Sequence, residues 1–263
     1  MIYMRNLFSR VIGKYHRTLA YRFCRRMTAI KTSIPIISFT FDDAPRSAFT
    51  TAGGILKSHG ASATFFVSLG LLGSQTEVGT IATSDDLLRA VKEGDELGCH
   101  TFDHWDSWQT TKKKFIESVV KNKQALVSIL PGYKFRTFAY PKTGALSPIK
   151  LQIEKYFDCC RGGGQRPNTG RADLNLLKAY FLDRRIKADI DEVKGMIDLN
   201  TSLKGWLIFV THDVRDDPSP YGCLPKFFGE VVKYAARSDA LLLPVGEACK
   251  KLQASASERT LYE

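Results

Sequence analysis

Apolar residues along the chain gather in short runs rich in β-branched and aromatic side chains, at 36–41, 63–67, 97–99, 135–140, 156–160, 181–186, 207–211 and 241–245. Runs of this length and composition predict strands. Between most of them lie segments with helical spacing of apolar positions, at 87–92, 115–129, 146–155, 190–199 and 227–236. Alternation of strand and helix predicts parallel strands joined by helical crossovers. Eight strand candidates in one stretch of chain favour a closed or nearly closed α/β barrel of seven or eight parallel strands over an open sheet. No internal repeat or low-complexity tract interrupts the pattern. The segment Gly162-Gly163-Gly164-Gln165-Arg166-Pro167 lacks the strand-to-helix setting of a phosphate loop and is read as a connector.

Composition narrows the picture. The 263 residues, 44% hydrophobic and 25% charged, suit one large globular domain that buries a substantial core. No stretch reaches the roughly 18 apolar residues that a spanning helix needs. Six cysteines without paired spacing, two of them adjacent, fit a reducing compartment. Basic residues recur through residues 1–33 where an export signal would carry its apolar run, so a cytoplasmic location is expected.

The formal charge of +11 is unevenly placed. Arg5, Arg10, Lys14, Arg17, Arg22, Arg25, Arg26 and Lys31 all precede the first acidic residue, Asp42, and the rest of the chain carries only +3. A nucleic-acid reading therefore concerns the arm alone, and no recognition motif accompanies it. In that arm Leu7, Val11, Tyr15, Leu19 and Phe23 stand at four-residue steps. Such an amphipathic helix either lies on an anionic membrane surface, placing the protein on the inner face, or packs against the barrel and closes its bottom. Three segments follow: an arm over 1–33, a barrel over 34–250 and a tail over 251–263.

Reactive residues cluster just after four of the strands. These are Asp42-Asp43, the pair His100 and His104, Tyr140-Pro141, and His212-Asp213. In parallel barrels active sites collect at the C-terminal strand ends, so this placement alone argues for a site. Two adjacent aspartates repel unless a cation neutralises one and frees the other as a base. His100 and His104, one helical turn apart, would present both rings to one metal, with Asp43 as a third ligand. Two imidazoles and one carboxylate leave coordination positions open for water and substrate, and the set suits zinc but also iron, cobalt, nickel or manganese. A metalloprotease would place Glu after the first histidine, where this chain has Thr101. His212 leaves an apolar strand as an imidazole suited to general acid work, and Asp213 is its nearest carboxylate in sequence.

These residues fall into ordered motifs: Phe39-Thr40-Phe41-Asp42-Asp43, Ala63-Thr64-Phe65-Phe66-Val67, His100-Thr101-Phe102-Asp103-His104, Phe138-Ala139-Tyr140-Pro141 and Ile208-Phe209-Val210-Thr211-His212. The series resembles the polysaccharide deacetylases, also called the NodB-homology or carbohydrate esterase family 4 enzymes, over residues 34–250. The resemblance implies a distorted barrel that removes an N-acetyl group from an amino sugar, free or in a cell-surface or lipid-linked saccharide precursor. It implies Asp42 as general base, Asp43, His100 and His104 as ligands of a divalent metal such as zinc, and His212 as general acid. Ile208 and Val210 would line an acyl pocket, and a backbone N–H near Tyr140 to Lys142 would help stabilise the oxyanion. The sequence departs from the family at Ala44, where a glycine is usual. It departs again two residues before Pro141, where many members carry the arginine that orients the base. Arg184, Arg185 and Arg136 are the candidates to replace it. The family's Asp-Trp element has no counterpart at a matching place. Two further readings stay open: a deformylase of a lipid-linked amino sugar, and a carbohydrate-binding barrel without catalysis.

Overall fold

The computed structural model describes residues 13, 15–16, 18–30, 32–185 and 189–260. The arm positions Leu7 and Val11 and the end of the expected strand over 181–186 lie outside the described residues. In chain order the strands are β1 (Met27–Ile30), β2 (Ile36–Phe41), β3 (Thr64–Val67), β4 (Gln75–Thr76), β5 (Gly79–Thr80), β6 (Glu96–Cys99), β7 (Thr137–Ala139), β8 (Cys159–Arg161), β9 (Gly170–Asp173), β10 (Tyr180–Phe181), β11 (Trp206–Thr211) and β12 (Leu241–Leu242). The helices are α1 (Gly53–Lys57), α2 (Ser84–Lys92), α3 (Lys112–Ile129), α4 (Ser147–Ile153), α5 (Ile190–Ser202), α6 (Pro225–Arg237) and α7 (Val245–Thr260).

Seven parallel strands curl into an open barrel in the order β10-β11-β2-β3-β6-β7-β8, and β12 adds to β2. The β2 and β11 pair forms the longest register, from Trp206 opposite Ile36 to Thr211 opposite Phe41. Both strands are buried along their whole length, which is why their sequences read as continuous apolar runs.

Side chains alternate between two cores, as the period of a strand requires. Ile37, Phe39, Phe41, Phe65, Phe138 and Phe209 face outward and join Phe115 and Val119 of α3 and Phe228 and Val231 of α6. Ile36, Phe66, Ala139, Trp206, Ile208 and Val210 fill the barrel with Val245, Ala248, Cys249 and Leu252 of α7. Helix α7 thus plugs the lower end and runs across the boundary expected at 250. Its first amides are held by Thr64 Oγ1, which accepts from Val245 N–H at 2.8 Å, and by Glu96 Oε2, which accepts from Gly246 N–H at 2.8 Å. Strand β1, inside the expected arm, pairs with β9 from Met27 opposite Asp173 to Ile30 opposite Gly170. Residues 18–22 are helical. The buried Lys150 ammonium ties them down, donating to Ala20 O at 2.6 Å, Phe23 O at 3.1 Å and Asp173 Oδ2 at 2.7 Å. All six cysteines are free, and no helix among the described residues is long and apolar enough to cross a membrane.

Candidate active site

A cavity of about 750 Å³ opens at the C-terminal ends of the strands, lined in part by Asp42, Asp43, His100, His104 and His212. Strand parity explains why Asp42 reaches it: Ile36, Ser38, Thr40 and then Asp42 follow the inward face of β2. Its neighbour would point outward if the strand continued. Instead Asp43 and Ala44 adopt left-handed φ values of 58° and 54°, and the chain turns so that both carboxylates face the cavity. A backbone in this region favours glycine, which gives the usual glycine at position 44 a physical reason and makes Ala44 a strained substitute.

His100 follows β6, and its loop is not the helical turn expected from the four-residue spacing. Thr101 and His104 have φ values of 61° and 53°, which no helix tolerates. The loop is instead pinned to α3 through Ser118, whose Oγ accepts from Phe102 and Asp103 N–H at 3.0 Å and donates to Asp103 Oδ2 at 2.9 Å. The two rings nevertheless meet, with centroids 5.1 Å apart.

The ligand atoms of Asp43, His100 and His104 lie within 4.8 Å of one another. Their chemistry fits a cation. Ala139 O can only accept, so His100 donates to it through Nδ1 at 2.9 Å and keeps its lone pair on Nε2. Burial pushes this imidazole down to about 4, against the pull of Asp42, so it is neutral near pH 7. That lone pair faces Asp43 Oδ1 at 3.6 Å, and His104 Nε2 faces the same oxygen at 3.1 Å. Asp43 Oδ1 is buried without a hydrogen-bond partner. Such a carboxylate oxygen beside an imidazole lone pair is costly until a cation sits between them.

Asp42 is held by a residue outside the sequence reading. Arg161, wholly buried at the end of β8, pairs with Asp42 Oδ1 through Nη2 and lies 5.1 Å over the Phe66 ring. Burial alone would raise the Asp42 carboxyl, but Arg161 above all, with His100 and His212, outweighs it and holds the group below the usual carboxylate range. The three proposed arginines are engaged elsewhere. Arg136 pairs with Asp158 at 2.6 Å, Arg184 donates to Pro218 O at 3.1 Å, and Arg185 pairs with Asp183 while lying 4.3 Å over the Tyr221 ring. Arg161 stands directly opposite Ala139, the position two before Pro141 where the arginine was sought. Its guanidinium thus reaches Asp42 from the adjacent strand at the same height in the barrel. Because Arg161 immediately follows the run at 156–160, the strand-end rule that selected the other clusters also selects it.

His212 continues the inward face of β11, and both its N–H and its Nδ1 contact Tyr221 O at 3.2 Å. This leaves Nε2 as the ring's free position. Asp213 does not contact the imidazole. It is fully buried, accepts from Ser219 N–H at 2.8 Å and Ser219 Oγ, and pairs with Arg215 Nε at 2.9 Å. Asp213 therefore shapes the 213–223 loop that carries Tyr221. The side chains of Tyr140, Ile208 and Val210 lie off the cavity lining. The Tyr140 ring is buried in the outer core, 5.0 Å from Phe138, and its N–H is donated to Arg161 O at 3.0 Å. Ile208 and Val210 are fully buried in the inner core. Lys142 does line the cavity, with Thr143, and both have left-handed φ, 54° and 57°.

Residues 29–157 match the family model described as Polysaccharide deacetylase. That matched stretch belongs to the polysaccharide deacetylase family. In overall fold it is similar to the peptidoglycan deacetylase PdaC from Bacillus subtilis, with a TM-score of 0.58 at 18% identity, over 88% of this chain and 98% of that one. It is also similar to a family 4 acetyl xylan esterase from Clostridium thermocellum in complex with a cobalt ion, with a TM-score of 0.54 at 18% identity, over 81% and 89%. A "Probable peptidoglycan-N-acetylglucosamine deacetylase" of Arthroderma benhamiae is 31% identical over 116 residues, 44% of this chain and 25% of that protein. The chain spans a quarter or less of the curated relatives it matches. The cavity brings Asp42, Asp43, His100, His104 and His212 together, with Arg161 paired to Asp42 behind them.

Proposed function

We propose that the cavity hydrolyses the acetamide of an N-acetylated amino sugar within a saccharide, using a divalent metal. The observation that carries this reading is the convergence of Asp43 Oδ1, His100 Nε2 and His104 Nε2, with Asp42 and His212 lining the same cavity. When bound, the cation supplies Lewis-acid polarisation of the amide carbonyl and of water. Asp42, kept ionised by Arg161, accepts the proton of the attacking water. Its Oδ1 is engaged by the guanidinium, which fixes the carboxylate and leaves Oδ2 to take that proton. The amide N–H of Lys142, which no hydrogen bond among the described residues uses, is available to the carbonyl oxygen as negative charge develops there. His212, oriented through Nδ1, presents Nε2 to protonate the departing amine.

The acylated nitrogen leaves as a free amine and the acyl group as acetate. Cobalt in the structurally similar esterase and peptidoglycan sugars in the names of the related deacetylases support this metal and substrate class. The test is kinetic. Asp42→Asn and His212→Ala, each shown to be folded and loaded with metal, should release acetate on the order of 10² to 10⁴ more slowly from N-acetylated chito-oligosaccharides. Near-normal turnover by either variant would remove that residue from the mechanism.

A further inference from the structure

The hairpin of β4 and β5 separates the catalytic cavity from a second one. Thr76, Glu77 and Val78 line the first, and Val78, Gly79 and Thr80 line the second, so the two are contiguous through Val78. The second cavity has a volume of about 330 Å³, and two guanidinium groups enter it, from Arg46 and Arg215. Arg46 follows the turn that carries Asp43, and Arg215 lies on the loop that orients His212.

Each of these arginines is held from behind. Arg46 Nε lies 3.1 Å from Asp86 Oδ2, and Arg215 Nε lies 2.9 Å from Asp213 Oδ2. Both aspartate side chains are buried, at 3% and 0% exposure, whereas the arginines are 53% and 40% exposed. No hydrogen bond among the described residues engages the Nη atoms of either arginine, and Arg215 Nε is buried beside Asp213 without a hydrogen bond of its own. A guanidinium ion-paired on its Nε side, with both Nη groups open, can turn its fork to a planar or tetrahedral anion. The local charge is also unbalanced. Asp86 is shared by Arg46 and Arg89, and Asp213 is paired with Arg215, so three guanidiniums meet two carboxylates. The Ser47 hydroxyl, also in the wall, adds a neutral donor.

We infer that this cavity is an anion subsite that receives a phosphoryl group carried by the saccharide whose acetamide occupies the catalytic cavity. The inference rests on the proposed deacetylase reading of that first cavity. It narrows the substrate from a neutral glycan to a phosphorylated or phosphate-linked amino sugar. Phosphate is favoured over a single carboxylate because two separate guanidiniums and a hydroxyl can each take a different oxygen. A nucleotide-linked and a lipid-linked sugar present the same chemistry here.

Two measurements on the metal-loaded full chain test the inference. In calorimetric titration with inorganic pyrophosphate, Arg46→Gln and Arg215→Gln should each weaken binding about tenfold, the loss of one charge-assisted contact. Equal affinity in the native protein and both variants would mean that pyrophosphate sits only on the metal, and would overturn the subsite. Acetate release is then compared among N-acetylchitobiose, a uridine diphosphate N-acetylamino sugar and a short-chain polyprenyl diphosphate N-acetylamino sugar. The preference for a phosphorylated substrate, as a ratio of kcat/KM, should fall about tenfold in Arg46→Gln, mainly through KM. Which of the two phosphorylated substrates shows the larger preference identifies the source. If N-acetylchitobiose is deacetylated and neither phosphorylated sugar is preferred, the subsite is wrong and the deacetylase reading stands. Should pyrophosphate bind through the arginines while no sugar releases acetate, the subsite stands and the deacetylase reading falls.

Discussion

Replacing Arg161 by methionine removes a buried charge from beside Asp42 while keeping most of the side-chain length. The Arg161 side chain is 0% exposed and that of Asp42 6%, so water cannot take the place of the guanidinium. Breaking one half of a buried ion pair costs about 3–5 kcal/mol, a large share of the ~5–15 kcal/mol that stabilises a typical domain. The cost depends on pH. With Arg161 present, the Asp42 carboxyl is held below its usual range, so the pair contributes stability above the unfolded pKa of about 3.9 and loses it as pH falls through the folded value. Without Arg161, burial pushes the carboxyl up, and the variant is weakest relative to the native protein at neutral pH. The gap should narrow as pH drops toward about 4. Urea unfolding at several pH values measures the gap, and kcat/KM against pH follows the same carboxylate in turnover, where the acidic limb should move to higher pH. The double variant Asp42→Asn with Arg161→Met removes both charges and should be more stable than Arg161→Met alone. An unfolding free energy within about 1 kcal/mol of the native value, together with an unmoved acidic limb, would refute the reasoning.

Glu96, at the lower end of the barrel, carries a carboxyl that burial holds above its usual range, against the Gly246 N–H and the Thr137 and Thr64 hydroxyls. A raised carboxyl contributes stability below its unfolded pKa of about 4.3 that is lost as pH rises through the folded value. Glu96→Gln keeps shape and stays neutral, so its melting temperature relative to the native protein should climb between about pH 4 and pH 7; a constant or falling difference would contradict this. Lys150→Met removes the donor shared by Ala20 O, Phe23 O and Asp173 and should cost about 3 kcal/mol or more in urea unfolding. Limited proteolysis of that variant should cut first between residues 20 and 26. In Gly222→Ala the new Cβ would meet Asp213 O and Oδ1 at 2.4 Å, displacing the loop whose Tyr221 carbonyl holds His212. Its kcat should fall about tenfold with metal content unchanged, and an unaltered kcat would show that the loop does not orient the acid.

The long parallel strands were legible because burial on both faces leaves an unbroken apolar run, and reactive residues just beyond such runs marked the mouth of the barrel. Strands β4 and β5 are too short to carry a pattern of their own, β9 reads Gly170-Arg171-Ala172-Asp173 with no apolar run, and β12 takes only the first two residues of the run at 241–245. Strand β1 was hidden in an arm whose basic residues dominate its composition. The spacing of His100 and His104 was compatible with a helix, but the left-handed Thr101 and His104 bring the rings together by another route. Arg161 escaped notice because the motif was sought along the chain, while the register places its charge across the sheet from Ala139. The adjacency of His212 and Asp213 misled for the opposite reason: neighbours leaving a strand point to different sides, and Asp213 turns to Ser219 and Arg215.

The central claim, that Asp43, His100 and His104 hold the metal on which acetyl removal depends, is tested most directly by metal content measured alongside acetate release. The native chain, stripped with chelator and reloaded with zinc or cobalt, should bind about one ion and regain the ability to release acetate from N-acetylated chito-oligosaccharides. His100→Ala and His104→Ala should lose both. Full metal content in the two histidine variants, or acetate release that persists undiminished in the stripped protein, would contradict the account.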